Sequence, residues 1–245
     1  MSAPILLITG ASRGIGAATA KLAAARGFDV AVNYLRDRES ADAVVKAIER
    51  GGRRAVAVQA DMAIEADITH MFKEVDGQLG RLTHLVYNTG ITGPLSRVES
   101  TDPKTFRNIL DINVLAAFLC AKAAIPRLSI RHGGSGGAMV FLSSAMATLG
   151  GAGEYVGYAA SKGAIESMTI GLARELAGDG IRVNAVAPGP IATDIHPPGR
   201  LERITQAVPL ARAGTVDEVA ESIAFLLSAA SSFTTGAILR VAGGR

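Results

Sequence analysis

The chain has 245 residues, 49% of them hydrophobic, and a formal net charge of +3 at pH 7. The high hydrophobic fraction excludes a disordered chain, and the single cysteine, Cys120, excludes a disulfide-stapled secreted domain. The charge excess is too small and too scattered to favour a nucleic-acid partner. The first residues lead into an apolar strand and do not resemble a signal peptide, and no continuous apolar run approaches the roughly 18 residues of a membrane span. We expect a soluble cytoplasmic protein that acts on a small molecule.

Short apolar runs alternate along the chain with longer amphipathic stretches. Strands are predicted at 5–9, 30–34, 55–59, 82–87, 138–143, 182–187 and 238–241, and helices at 14–26, 39–50, 65–78 and 158–177. The strands are apolar throughout, which is typical of parallel strands covered on both faces. This alternation predicts an α/β fold with a doubly wound Rossmann-type parallel sheet and helices on both faces. Because no shift in composition divides the chain, a single domain over 1–245 is predicted.

A glycine-rich segment joins the first predicted strand to the first predicted helix. Its residues after Thr9 are Gly10, Ala11, Ser12, Arg13, Gly14, Ile15 and Gly16. Glycines at such a turn let the backbone approach a pyrophosphate, whose charge is favoured at the helix N-terminus. Glycines in a plain turn that needs positive φ angles would give a similar pattern. The position on the first strand–helix turn favours dinucleotide binding.

The end of the second strand bears on the choice of cofactor. An NAD site usually places a carboxylate there, whereas a 2′-phosphate is accommodated by arginine. Asn33 and Tyr34 end this strand and carry no acid, while Arg13 and Arg36 are placed to flank a phosphate. NADP(H) is therefore the predicted cofactor and NAD(H) remains possible, since Asp37 can bind a ribose or pair with a neighbouring arginine. Both arginines can also be ordinary solvated residues.

Tyr158 and Lys162 are four residues apart in a predicted helix. Residues at this spacing share a helix face, so the phenol and the ammonium can lie side by side. A free phenol has a pKa of about 10, and a nearby cation favours the phenolate. Such a pair can protonate a carbonyl oxygen or deprotonate an alcohol, although on spacing alone most pairs of this kind are surface coincidences. Tyr155 lacks a lysine four residues later.

Taken together, these motifs resemble the short-chain dehydrogenase/reductase family over most of the chain. The resemblance rests on Thr9–Gly16, Asn88–Gly90, Asn113, Ser143 with Ser144, Tyr158 with Lys162, and Pro188 with Gly189. Within the family, the sequence most resembles the compact group of 3-oxoacyl-[acyl-carrier-protein] reductases and small sugar or alcohol dehydrogenases. The resemblance implies a sheet of seven parallel strands, hydride transfer at a nicotinamide and a homotetramer.

The resemblance also implies a role for individual residues. Tyr158 would be the acid/base, Lys162 would lower its pKa and hold the nicotinamide ribose, and Ser144 would bind the substrate oxygen. Asn113 would bend its helix and hold a water on the proton path. The remaining cofactor contacts would come from Asp61 and Met62 at the adenine, from Asn88 and Gly90, and from Pro188, Gly189, Ile191 and Thr193 at the carboxamide.

Two positions depart from the family pattern. The Asn-Asn-Ala-Gly stretch of the family is here Tyr87-Asn88-Thr89-Gly90, which should still permit cofactor binding. The gap from Ser144 to Tyr158 is one residue longer than usual, so Ser143 remains an alternative to Ser144.

Other functions are less compatible with the sequence. A Gly-x-Ser-x-Gly pattern around Ser135 leads into a strand, whereas a hydrolase elbow joins a strand to a helix. The four histidines and the cysteine show no metal-ligand spacing, so no metal is expected. A sugar or polyol dehydrogenase and a catalytically silent dinucleotide sensor remain alternatives. The substrate should lie beneath the loop at 191–208, whose sequence does not identify it.

Assembly is predicted from the small residues of two helices and from the apolar C-terminal strand. On the helix beyond Asn113 these residues are Ala116, Ala117, Cys120 and Ala124, and the helix over 158–177 carries alanine, glycine and Met168. Small residues on more than one face allow packing against another subunit, although they equally allow close helix–sheet packing within one subunit. A homotetramer is the expected assembly.

Overall fold

Seven parallel strands form one sheet in the order β3-β2-β1-β4-β5-β6-β7. The computed structural model describes residues 3–245. The strands are β1 (Ile5–Ile8), β2 (Asp29–Tyr34), β3 (Ala55–Gln59), β4 (His84–Tyr87), β5 (Gly137–Leu142), β6 (Ile181–Pro188) and β7 (Ile238–Val241). The predicted doubly wound Rossmann-type sheet is confirmed.

Helices cover both faces of this sheet. They are α1 (Gly14–Ala25), α2 (Arg38–Arg50), α3 (Glu65–Gln78), α4 (Pro103–Leu110), α5 (Ala116–Leu128), α6 (Met146–Leu149), α7 (Val156–Leu176), α8 (Arg200–Thr205) and α9 (Val216–Leu227). One apolar core lies against α3, α5 and α7 and includes Phe72 and Ile165. The other lies against α1, α2 and α9 and includes Val44 and Ile223. The five inner strands, β2, β1, β4, β5 and β6, are buried on both faces, which explains their apolar sequence.

The strand order reverses at β1, which pairs with β2 on one side and with β4 on the other. The chain therefore leaves β1 and β4 toward opposite faces of the sheet and opens a crevice at their carboxyl ends. The loops that follow β1, β4, β5 and β6 meet at this edge, where the sequence places its glycine-rich and catalytic motifs.

A π-helical turn at Asp111–Leu115 joins α4 to α5. At its centre, the buried amide of Asn113 accepts a hydrogen bond from the Ile91 amide N–H and donates one to the Ile91 carbonyl, each at 2.9 Å. Its Nδ2 also donates to Ser161 Oγ at 3.0 Å. Asn113 thus connects the loop after β4 to α7, and the widened turn lets the side chain reach both.

By length and mean hydropathy, the helical stretch Pro103–Leu128 could cross a membrane. Charged residues such as Arg107 and Lys122 interrupt it, and one side of α5 belongs to the core beneath the sheet. This is the pattern of a core helix in a globular domain.

The small residues of α5 do not face outward. Ala116, Ala117, Cys120 and Ala124 are all fully buried within the chain. Their expected packing against another subunit is therefore wrong: small side chains here let α5 approach the sheet closely. The residues of this region that are exposed are large, including Leu115 and Phe118, each 51% exposed.

His84 makes the folded chain sensitive to acid. Its ring packs edge-on against Phe28, with centroids 4.9 Å apart, and Nδ1 lies 2.8 Å from Thr83 Oγ1. Burial, with a smaller effect of the Arg182 charge, lowers the pKa of His84 to about 4. An unfolded histidine binds its proton near pH 6.5, so between these values the unfolded chain holds more protons and acidification favours unfolding.

We expect the free energy of unfolding to fall by about 2 kcal/mol between pH 7 and pH 5 because of His84. Urea unfolding at several pH values measures this change. His84→Phe should flatten the dependence, whereas His70→Gln, at a site whose side chain is 73% exposed, should leave it unchanged. An equal slope in wild type and His84→Phe would contradict the assignment.

Candidate active site

A cavity of about 1200 Å³ opens at the carboxyl edge of the sheet. Its wall is formed by the loops after β1, β2, β4, β5 and β6 together with the beginnings of α7 and α8. Most of the predicted site residues line it: Gly10, Ser12, Arg13, Gly14, Ile15, Tyr34, Arg36, Asn88, Gly90, Ser144, Tyr158, Lys162, Pro188, Gly189, Ile191 and Thr193. Motifs from both ends of the chain, from Gly10 to Thr193, are thereby brought to one surface.

The glycine loop presents bare backbone to this cavity. Gly10 and Gly14 have φ angles of +61° and +56°, which side chains rarely adopt. A Cβ on Gly16 would lie 2.5 Å from the Gly10 carbonyl oxygen, so only glycine fits there. The Asn88 amide fixes the loop by donating to the carbonyls of Thr9 and Gly10 at 3.0 and 2.9 Å. The loop precedes the N-terminus of α1, an arrangement that fits the pyrophosphate of a dinucleotide.

Some predicted cofactor residues lie behind the wall of the cavity. Asn33 accepts a hydrogen bond from the Gly10 amide N–H at 3.0 Å and donates toward the carbonyls of Val58 and Ala60. It therefore shapes the glycine loop from the second strand. Gly16 allows the close approach of the Gly10 backbone, and Asn113 connects the loop after β4 to α7. Neither residue lines the wall.

The predicted adenine contacts are also outside the wall. The Asp61 carboxylate accepts from the Ala63 amide N–H at 2.8 Å, which closes the turn before α3. Met62 is only 5% exposed and packs in the core beside α3. The side chains of both residues thus have structural contacts, and their contact with adenine stays a prediction.

At the end of β2, the wall is formed by Tyr34, Arg36 and Asp37. Asp37 caps α2: its carboxylate accepts from the Ser40 amide N–H at 2.9 Å and from the Ser40 hydroxyl at 2.7 Å. These hydrogen bonds hold the pKa of Asp37 below its usual value. Arg13 reaches across the cavity to within 3.7 Å of Asp194, and its side chain is 75% exposed. Asp37 is engaged in capping, while Arg13 and Arg36 leave positive charge at this end.

Tyr158 and Lys162 lie one turn apart near the start of α7. Lys162 is buried, its Nζ donates to the Leu142 carbonyl at 2.6 Å, and it lies 5.7 Å from the centroid of the Tyr158 ring. Burial lowers the pKa of Lys162 to about 8, so the ammonium form predominates at pH 7. A Cβ on Gly90 would lie 3.2 Å from this Nζ, so the glycine leaves room above the lysine.

The pKa of Tyr158 differs from the expectation that Lys162 lowers it. Burial is the largest influence and raises the pKa of Tyr158 above its ordinary value. The Ser144 hydrogen bond and the charge of Arg200 act in the opposite direction. Lys162 donates to the Leu142 carbonyl, and the groups that favour the phenolate in this structure are Ser144 and Arg200.

Ser143 and Ser144 have different surroundings, although both line the cavity. Ser143 is buried, and its hydroxyl donates to Glu166 Oε1 at 2.8 Å. The Ser144 hydroxyl accepts from the Met146 amide N–H at 3.2 Å and lies near enough to Tyr158 to lower the pKa of the phenol. These contacts favour Ser144 as the serine that meets a substrate beside Tyr158.

The loop after β6 closes the far side of the cavity. Gly189 donates to the Val241 carbonyl, and a Cβ on it would lie 2.8 Å from the Ala242 Cα. The sequence did not identify several lining residues from the segment before α7, the loop after β6 and α8. They are Glu154, Tyr155, His196, Arg200 and Arg203. They belong to no motif, and only the general position of the loop was predictable. Among residues 3–245, no group of three histidine, cysteine, aspartate or glutamate side chains is arranged to hold a metal.

Comparison with known proteins agrees with this geometry. A family model described as enoyl-(acyl carrier protein) reductase matches residues 10–245. The chain is 44% identical to the oxidoreductase YgfF of Escherichia coli, over 98% of this chain and 99% of that protein. It is 39% identical to a 3-oxoacyl-[acyl-carrier-protein] reductase of Synechocystis, over 100% and 97% of the two chains. A short chain dehydrogenase from Burkholderia cenocepacia, crystallised with NADP, superposes with a TM-score of 0.91 at 37% identity, covering 98% and 97% of the chains.

Proposed function

The chain belongs to the short-chain dehydrogenase/reductase family of oxidoreductases, and from that membership we propose that it interconverts a carbonyl compound and a secondary alcohol with NADP(H). The observation that carries the proposal is the meeting of Ser144, Tyr158 and Lys162 on the wall of a cavity that also contains the glycine loop. No other arrangement in the described part of the chain combines a proton-transfer group with a dinucleotide cradle.

Each residue of the site has its own role in the proposed reaction. The nicotinamide supplies or accepts the hydride when it is bound. Ser144 holds the substrate oxygen by a hydrogen bond, and the Tyr158 hydroxyl gives that oxygen a proton during reduction or removes one during oxidation. The buried ammonium of Lys162 would hold the ribose of the cofactor, and it lies 5.7 Å from the centroid of the Tyr158 ring. Asn113 holds the loop after β4 in place.

Support for NADP(H) comes from the adenosine end of the cavity. Arg13 and Arg36 line the cavity, and the carboxylate at the end of β2, that of Asp37, is engaged with Ser40. Arginine suits the doubly charged 2′-phosphate because its planar fork makes two parallel hydrogen bonds. NAD(H) lacks this phosphate and would leave both arginines without that partner.

Among possible substrates, we favour a 3-oxoacyl thioester, because relatives that align over nearly the whole chain carry that name. A sugar or polyol is the alternative carbonyl substrate. The matching family model is described by reduction of an enoyl group, which is a different bond. A catalytically silent dinucleotide sensor would have the same cavity but would turn over none of these candidate substrates.

A screen of NADPH oxidation tests the proposal. The absorbance of NADPH is followed with 3-oxoacyl thioesters, enoyl thioesters, sugars, quinones and steroids. Turnover of a ketone with formation of a secondary alcohol supports the reaction class, and 3-oxoacyl thioesters should give the highest kcat/KM. Binding of NADPH without turnover of any compound would favour the sensor, and turnover of enoyl thioesters alone would contradict carbonyl reduction.

We also propose that the protein is a homo-oligomer, with a tetramer as the expected state. Large apolar side chains remain exposed along α5 and α7, including Phe118 at 51% and Ile170 at 39%. Phe233, near the C-terminal strand, is fully exposed. Exposed large apolar side chains favour subunit contacts, and closed symmetric assemblies are the usual result.

Light scattering of the purified protein measures the mass of the assembly. The chain has a mass of 25.2 kDa, and we expect a multiple of this value at micromolar concentration. Phe118→Glu should lower the mass because a carboxylate in an apolar contact is unfavourable. Lys46→Glu puts a carboxylate on the exposed side of α2, which covers the opposite face of the sheet, and it should have little effect. A mass near that of one chain for the wild type would exclude the oligomer.

A further inference from the structure

One arginine of the cavity wall is buried and has well-defined contacts. Arg200, the first residue of α8, is only 8% exposed. Its Nε and Nη2 donate to Glu154 Oε2 at 3.2 and 2.9 Å, and its Nη1 lies 3.0 Å from His196 Nδ1. Its guanidinium carbon lies 4.8 Å from the centroid of the Tyr155 ring. The guanidinium is therefore held on three sides.

These contacts join two segments that are distant in sequence. Glu154 and Tyr155 immediately precede α7, the helix that carries Tyr158, whereas His196 and Arg200 belong to the loop and helix after β6. The rings of Tyr155 and Tyr158 meet edge to face, with centroids 6.3 Å apart. A path of direct contacts thus runs from Arg200 through Tyr155 to Tyr158.

Removing a charge from water is unfavourable unless partners compensate for it, and here Glu154 is the compensating partner. Burial opposes ionisation of Glu154, but hydrogen bonds from Arg203 and Arg200 outweigh this and lower the pKa of Glu154. The ion pair is therefore formed at neutral pH. It holds the Arg200 guanidinium against the Tyr155 ring, which in turn contacts the Tyr158 ring.

We propose that Arg200 is a positioning residue for Tyr158: clamped by Glu154, His196 and the Tyr155 ring, it fastens the loop after β6 to the start of α7 and holds a fixed positive charge beside the phenol. This inference rests on the proposed role of Tyr158 as the acid/base. Lys162 lies one turn along α7 from the phenol, whereas Arg200 is connected to it through the Tyr155 ring.

Both Tyr158 and Arg200 have charged and titratable neighbours. The neighbours of Tyr158 are Tyr155, which immediately precedes α7, Lys162 on α7, and Arg200 on α8. The neighbours of Arg200 are Glu154, His196 and Arg203. The charge of Arg200 lowers the pKa of Tyr158, and burial together with the charge of Arg200 lowers the pKa of His196. His196 is therefore neutral at pH 7 and adds no competing charge.

Ionisation of the phenol, followed by ultraviolet absorbance, tests the inference without a substrate. The Tyr158 signal is the difference between each protein and the same protein carrying Tyr158→Phe. Arg200→Met should move this ionisation to higher pH, because a positive charge has been removed. Glu154→Gln should move it to lower pH, because the carboxylate that offsets Arg200 is lost. Arg200→Lys keeps the charge without the planar fork and should lie closer to wild type than Arg200→Met.

Turnover supplies the second measurement. For the compound turned over in the screen, Arg200→Met should lower kcat by about tenfold or more. The acidic limb of the pH profile for alcohol oxidation should shift in the same direction as the absorbance titration. Arg212→Met is the matched control. This arginine lies between α8 and α9, outside the cavity wall, in an exposed pair with Glu218. It should change neither measurement.

The outcomes separate this inference from the proposed function. A folded Arg200→Met whose Tyr158 ionisation equals that of wild type overturns the role of Arg200, as does a shift of Glu154→Gln and Arg200→Met in the same direction. If Arg200→Met does not fold, Glu154→Gln and Arg200→Lys still decide the question. Undiminished turnover by Tyr158→Phe would instead refute the proposed acid/base.

Discussion

Replacing Tyr158 by phenylalanine is expected to lower kcat for carbonyl reduction by roughly 10²–10⁴, because the ring remains while the proton donor is lost. Tyr158 lines the cavity wall together with Ser144, and phenylalanine offers no group that can donate a proton. Stopped-flow or steady-state oxidation of NADPH measures the loss. Binding of NADPH, followed by fluorescence titration, should stay within a few-fold of wild type.

Tyr155→Phe is the matched control for this variant. Its ring packs against Tyr158 and Arg200, and phenylalanine keeps that ring. Most of the wild-type rate should therefore remain. Near-normal turnover by Tyr158→Phe would show that another group moves the proton, and the proposed mechanism would then be abandoned.

The second large effect concerns the choice between the two nicotinamide cofactors. Replacing both Arg13 and Arg36 by glutamine should weaken NADPH binding by about tenfold to a hundredfold per arginine, since a charge-assisted hydrogen bond contributes about 1.5–3 kcal/mol. NADH has no 2′-phosphate, so its Kd should change little. Fluorescence titration with each cofactor gives both constants.

Arg38→Gln is the matched control for the cofactor experiment. Arg38 follows Asp37 directly but pairs with Asp42 on the exposed side of α2. Its loss should leave the ratio of the two Kd values unchanged. Because Arg13 is mostly exposed, raising the salt concentration should reduce the NADPH preference of the wild type. Equal weakening of NADPH and NADH in the double variant would refute the assignment.

Features set by local sequence were predictable. The bounds of β3, α3 and β7 agree with the prediction because apolar runs and turn residues mark both of their ends. The glycine loop was likewise recognisable, since its conformation depends on glycine at fixed positions. The strand predicted at 82–87 begins at His84, because pairing with β1 starts only there.

Features set by contacts between distant segments were not predictable. The hydrogen bonds of Arg200 to Glu154 span 46 residues and belong to no motif. Asn33 ends a strand near the cavity, yet its side chain is directed to the Gly10 backbone, which its position alone does not reveal. The small residues of α5 were assigned to a subunit contact because helical periodicity does not identify which neighbour each face meets.

The glycine loop has a consequence for the order in which the chain folds. Its shape depends on Asn33 at the end of β2 and on Asn88 after β4, which is 78 residues from Gly10 in sequence. Contacts of such separation form only after a large loop has closed, so they belong to the slow part of folding. The segment at 9–16 therefore has no finished surface for a dinucleotide until β4 has joined the sheet. A cofactor that fits this surface would bind a late, nearly native state and could not serve as a template for early folding.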